Sequence, residues 1–197
     1  MEESIEFIED GHVYLYKGVI IPSVSDLIKF KFPDAYKGIP KTVLRQSANY
    51  GTKVHDYIQR FVEGEFTIEE LQKRNIDPNI KIAVERFEYL RKMWAFQIKD
   101  MEQIVHYKNK YAGRYDMRTI DGDDLIIDLK TTSEIHEEWL SWQLGLYYMA
   151  AGLKRDFGYV IWLPKGKAGE VKQINVKTHE ECVQLIKDYE KANPSTE

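Results

Sequence analysis

The sequence predicts a mixed α/β (α+β) fold, with a central mixed β-sheet flanked by helices. Three observations predict it. Helical periodicity with start signals dominates residues 23–96. The apolar period then drops from about 3.6 to about 2 at Ile98. From there the order reads β-β-β-α-β-β-α. The 197 residues suit one domain, 1–197, with a hairpin and helical part over 1–96 and a sheet core over 97–192. No repeat, low-complexity tract or Pro/Gly-rich linker divides them.

Each element has a local reason. Residues 5–21 alternate around Asp10-Gly11, as a hairpin does. Ser23, with Asp26 three residues on, caps a short helix through Phe30. Pro33 and Pro40 punctuate the loop after it. Residues 41–63 read as a long helix with Val43, Leu44, Ala48, Val54, Ile58 and Phe61 near one stripe, interrupted at Gly51. Thr67 and Glu70 form a second capping pair. Asp77-Pro78 opens a helix to about Phe96, since proline suits a first turn. Strands follow at 98–108, 111–120 and 124–131, with a turn at Asp121-Gly122. A helix over 136–152 and strands over 157–163 and 170–176 come next. Thr178 and Glu181 cap the last helix.

Composition excludes several classes. Hydrophobic residues make up 43% and charged residues 30%, which excludes disorder of the whole chain. Apolar runs such as Leu125-Ile126-Ile127 fall far short of the roughly 20 residues a membrane helix needs. The acidic start, Met1-Glu2-Glu3-Ser4, is unlike a secretory signal. Cys182 is the single cysteine, which excludes an internal disulfide and four-cysteine zinc or iron–sulfur sites. A soluble protein of the cytoplasm is expected. No Gly-x-x-x-x-Gly-Lys occurs, so no ATP chemistry is expected.

The net charge of −4 hides local asymmetry. Between residues 29 and 53, six basic residues face Asp34 alone. Between residues 104 and 118, Lys108, Lys110, Arg114 and Arg118 face only Asp116. Basic patches around isolated carboxylates suit a metal-dependent enzyme acting on a polyanion; a solvated mixed surface is the plainer account. Phe30, Phe32, Tyr36 and Tyr50 interleave with the first patch, an arrangement that either guides and stacks a DNA strand or packs a helix base.

The stretch Leu125-Ile126-Ile127-Asp128-Leu129-Lys130-Thr131-Thr132 is the most informative. On a strand, Asp128 and Lys130 project from one face while Leu129 points into packing. Asp116 closes Tyr111-Ala112-Gly113-Arg114-Tyr115-Asp116 on the preceding strand. A hairpin would set its carboxylate beside that of Asp128, within the span of one or two bridging cations. Carboxylate oxygens select Mg²⁺ or Mn²⁺. Gly113 removes a side chain where a sugar-phosphate backbone would approach. The plainer accounts are a surface ion pair for Asp128 and Lys130, and Asp116 satisfied by Arg114 or Arg118. Gly51 and His55 are four apart, as are Gln143 and Tyr147, so each pair shares a helix face.

Taken together and in order, Gly-x-x-x-His, a strand Glu, Gly-x-x-Asp, Asp-x-Lys-Thr-Thr and Gln-x-x-x-Tyr resemble the PD-(D/E)xK nuclease superfamily. The likeness is nearest to the branch of RecB-type nuclease domains and phage recombination exonucleases. Ile21-Pro22-Ser23-Val24-Ser25 after the hairpin looks like the opening of such phage enzymes. The resemblance spans about residues 12–150 and implies a restriction-endonuclease-like core. It implies a Mg²⁺- or Mn²⁺-dependent DNA exonuclease giving 5′-phosphate products, without ATP or an iron–sulfur cluster. An endonuclease of the same fold, or a partner-dependent DNA-binding subunit, are the alternatives. The resemblance further implies Asp116, Asp128, the Leu129 carbonyl and His55 as metal ligands. Lys130 would activate water and offset phosphate charge. Glu102 would be the acid of the preceding strand, with Asp100 close by. Gln143 and Tyr147 would support the site and contact DNA. Implied partners are DNA and a single-strand annealing protein; a homo-oligomer stays open. Tyr115 stands where the family pattern has proline, and Asp128 stands where Glu is commoner.

Overall fold

The computed structural model describes residues 5–120 and 124–194. Its centre is a five-stranded sheet in the order β4 (Ile98–Tyr107), β5 (Tyr111–Thr119), β6 (Ile126–Lys130), β7 (Phe157–Trp162) and β8 (Glu170–Asn175). Only β6 and β7 pair in parallel, bridged by helix α5 (Glu137–Ala150), so the sheet is mixed as expected. β6 is covered on both faces, which explains its unbroken apolar run. Ile126 and Val160 face one cluster, with α1 (Val24–Lys31), α5 and α6 (His179–Ala192). Ile127, Leu129 and Ile161 face the other, with α2 (Lys41–Val62), α3 (Ile68–Lys73) and α4 (Pro78–Met93). Among the described residues, no helix is long and apolar enough to cross a membrane.

The helix starts follow the local chemistry. Capping boxes close at Ser23/Asp26, Thr67/Glu70 and Thr178/Glu181, and Asp77 caps α4 with Pro78 in its first turn. Three features differ from the sequence reading. The N-terminal segment is a three-stranded meander, β1 (Ile5–Ile8), β2 (Val13–Tyr16) and β3 (Val19–Ile21), because Gly18, at φ 79°, supplies a second tight turn. Helix α2 runs unbroken through Gly51. Its expected apolar stripe is buried only at Val54 and Ile58; the earlier turns stand out from the sheet, and Val43 is 47% exposed. The expected turn at Asp121-Gly122 lies outside the described residues.

Gly113 does not leave room for a substrate. A Cβ there would lie 2.6 Å from Val24 Cγ2 and 2.9 Å from Tyr147 Cε1. The missing side chain lets α1 and α5 press onto β5, and this packing places Tyr147 at the site. Gly113→Ala is therefore expected to destabilise the fold by about 1–3 kcal/mol. Thermal melting would read this as a loss of several degrees. An unchanged melting temperature would show that Val24 and Tyr147 shift freely.

Candidate active site

Three neighbouring strands and two helices build the site. β5 pairs with β6 at Arg118–Ile126 and Met117–Ile127. One step further along that register, Asp116 and Asp128 face each other. The ladder ends there, and the Leu129 N–H donates to Asp116 Oδ2 at 2.6 Å. On the other side of β5, Glu102 lies between the Met101–Met117 and Gln103–Tyr115 pairs, opposite Asp116. Its φ of 51° places a non-glycine residue in the left-handed region within a strand. Such a conformation costs about 1 kcal/mol or more and persists only where surrounding structure enforces it.

Helix α2 brings His55 to these acids. At Gly51, one turn earlier, a Cβ would sit 3.1 Å from Thr131 Oγ1. The absent side chain thus lets α2 approach the end of β6. His55 Nδ1 lies 3.5 Å from Asp116 Oδ1 and 3.6 Å from Glu102 Oε1. Nε2 lies 3.1 Å from the Leu129 carbonyl oxygen. With both ring nitrogens protonated, His55 donates from Nε2 to the Leu129 carbonyl and faces the two carboxylates as a cation from Nδ1. Burial opposes that charge, but Asp116 and Glu102 outweigh it and push the His55 pKa up to about 10. The Asp116 carboxyl is itself held low: burial would raise it, but His55, Lys130 and the Leu129 N–H together overcome burial.

Asp128 and Lys130 share a face, as the strand period requires. Lys130 Nζ lies 2.7 Å from Asp128 Oδ2. Asp128 is 1% exposed, and burial pushes its carboxyl up to about 6 although Lys130 opposes the shift. Apart from this ion pair, Oδ2 has no hydrogen-bond partner among the described residues. The plain accounts of both acids therefore fail. The Asp128–Lys130 pair is not on the surface. Arg114 Nε pairs with Glu102 Oε2 at 2.8 Å, and Arg118 Nη2 with Asp100 Oδ2 at 2.6 Å, so neither arginine pairs with Asp116. Asp100 also accepts from the Tyr115 hydroxyl, which leaves Glu102 as the acid of β4 that faces the site.

Gln143 and Tyr147 lie on α5 with Gln143 Nε2 3.4 Å from the Tyr147 hydroxyl oxygen. Burial, reinforced by the Asp116 charge, pushes the Tyr147 hydroxyl pKa well up, so it stays a donor. Sequence reasoning missed two contributors. Arg114 stands two residues before Asp116, on the same strand face, and this spacing was a readable sign. Thr131 stands in the Asp-x-Lys-Thr-Thr stretch, but nothing local marked it as the residue that meets α2 at Gly51. The basic run 104–118 is largely consumed in ion pairs: Lys110 with Glu190, besides the two arginines. In the other run, Lys41, Arg45 and Lys53 form no ion pair among the described residues.

Among the described residues, His55, Glu102 and Asp116 form a cluster whose ligand atoms lie within 4.8 Å of one another, a geometry able to hold a metal ion. Asp128 stands outside this trio, turned to Lys130, and the Leu129 carbonyl is engaged by His55.

No family model matches the chain, and no curated protein was found to match it. A crystal structure of a protein from Eubacterium rectale, provisionally named an exonuclease, is similar at a TM-score of 0.54 and 13% identity. The match covers 87% of this chain and 79% of that one. At that identity the likeness is one of fold. A second solved structure, SSO0001, matches over 87% of this chain and 86% of that one at 14% identity, but its TM-score of 0.40 carries no argument.

Proposed function

We propose that this protein is a Mg²⁺- or Mn²⁺-dependent DNA exonuclease of the PD-(D/E)xK superfamily, of the kind used in phage recombination. One observation carries the reading: two acids from adjacent strands, Glu102 and Asp116, meet one histidine, beside a third, buried acid paired with Lys130. The fold shared with a protein named as an exonuclease supports it. The residues present fit a divalent cation. The donors are hard oxygens with one imidazole, and Asp128 keeps a buried oxygen held only by Lys130.

Asp116, Glu102, His55 and Asp128 would hold the cation, which would polarise a phosphodiester and lower the pKa of a water. The chain's own residues do the rest. Lys130 presents an ammonium to the phosphoryl oxygens and offsets the charge that grows as attack proceeds. The buried Asp128 side of the pair keeps that charge effective by limiting competing water. Gln143 and Tyr147 hold donors against the same face. Lys41, Arg45 and Lys53 offer cations for the DNA backbone.

The test is digestion of end-labelled linear DNA beside a closed circle, each with Mg²⁺, Mn²⁺ or EDTA. Metal-dependent loss of the linear DNA alone is expected. Cutting of the circle would make the protein an endonuclease. No cleavage of either substrate would favour a partner-dependent binding subunit.

A further inference from the structure

A cavity of about 350 Å³ opens beside Lys130, between α1, the 32–40 connection and α5. That volume lies at the lower end of small-ligand pockets, roughly 300–1,000 Å³. Ile28, Tyr36, Trp139 and His136 make its apolar and aromatic wall; Lys29, paired with Asp26, and Lys130, paired with Asp128, bring ammonium groups to it, and Glu134 brings a carboxylate. The Trp139 ring is held by neighbours. Phe32 lies nearly parallel to it at 6.3 Å, His136 nearly parallel at 6.5 Å, and Tyr36 edge-on at 5.3 Å. Tyr36 is nevertheless 47% exposed. Ser25 and Gln143 add polar side chains to the lining. Lys130 and Gln143 belong to both this cavity and the acid cluster's face, so the two spaces adjoin.

We propose that this cavity receives one unpaired nucleobase of the DNA strand, stacked on Tyr36 with its edge toward Trp139, while the neighbouring phosphate lies at Lys130. The inference rests on the nuclease reading and deepens it, because it selects a single-stranded terminus as the substrate form. A base within a duplex is stacked on both faces and paired at its edge. Only an unpaired nucleotide can offer a free face to an aromatic wall and its edge to Ser25 or Gln143. The cations fit the adjoining phosphates. A free phosphate would leave the aromatic wall unused.

The experiment uses the full chain in EDTA, where no cleavage intervenes. Single-stranded oligonucleotides carry 2-aminopurine at one end, each end in turn, and its fluorescence is titrated with protein. Quenching is expected at one end. The same oligonucleotide with an abasic site in that position is expected to bind about tenfold more weakly. Tyr36→Ala and Trp139→Leu should each remove both the quenching and the abasic difference. Tyr36→Ala serves as the safer variant, because that side chain is half exposed. Equal binding of abasic and base-bearing strands, or quenching untouched in Tyr36→Ala, overturns the proposal. So does equal affinity for 2-aminopurine mononucleotide, which would make the cavity a site for free nucleotides. A protein that cuts DNA without quenching refutes the base pocket alone. One that quenches but never cuts in metal refutes the nuclease reading alone.

Discussion

Lys130→Ala is expected to lower metal-dependent cleavage of linear DNA by a factor of about 10²–10³ or more. The reason is the position of the ammonium. Lys130 Nζ sits 2.7 Å from Asp128, beside the acids that would hold the cation. It is the side chain there that can meet growing phosphoryl charge without itself binding metal. Removing it has a second consequence. Asp128 is buried and Lys130 is its one ion-pair partner among the described residues, so a lone carboxylate would be left in the core. Breaking a buried pair from one side costs up to about 3–5 kcal/mol, less here because the Lys130 side chain is partly exposed. Loss of activity could then reflect unfolding rather than chemistry. The melting curve of Lys130→Ala, together with that of Lys130→Met, which keeps most of the volume, separates the two effects. Melting at the wild-type temperature with no cleavage would assign the loss to chemistry. Wild-type cleavage rates in folded Lys130→Ala would remove the lysine from the mechanism.

What could be read from the chain was local. Capping boxes at Ser23, Thr67 and Thr178 involve residues three apart, so the sequence contains both partners. The shared face of Asp128 and Lys130 follows from the strand period alone. What could not be read was set by distant packing. The outward turn of α2 at Val43 depends on where the sheet ends, which no periodicity reports. Gly113 looked open to a ligand because its occupants, Val24 and Tyr147, are far off in sequence. Glu102 could not be separated from Asp100 on a strand of ordinary pleat, where residues two apart share a face. The left-handed residue at 102 and the Arg118–Asp100 pair send the two acids different ways. The Leu129 carbonyl was expected to face a metal, yet it accepts from His55, a residue 74 positions earlier.

In EDTA, the stability of the protein is expected to fall as pH rises from about 7 to 10, and Mg²⁺ should progressively restore it. His55 explains both halves. Between Asp116 and Glu102 its imidazolium acts as the cation of the cluster in EDTA, and these carboxylates push its pKa up to about 10. An unfolded histidine titrates near 6.5, at about its ordinary value. The folded state therefore binds the extra proton between those two values. Its stabilising effect is complete below about pH 6.5 and disappears as pH climbs through 10. A divalent cation would replace the proton as the positive charge, so its stabilisation of the fold should grow over the same interval. Asp128 adds an earlier step of the same direction. Burial pushes its carboxyl up to about 6, so Mg²⁺ must displace a proton there below that pH. Melting curves from pH 5 to 9, with EDTA and with Mg²⁺, read both effects. His55→Gln should flatten the EDTA profile above pH 7, because neutral glutamine carries no proton to lose. A wild-type profile in EDTA as flat as that of the variant would mean that His55 is neutral in the folded protein. The acids would then be held together by Arg114, Lys130 and the Leu129 N–H, and the cluster would bind its cation without releasing a proton from the histidine.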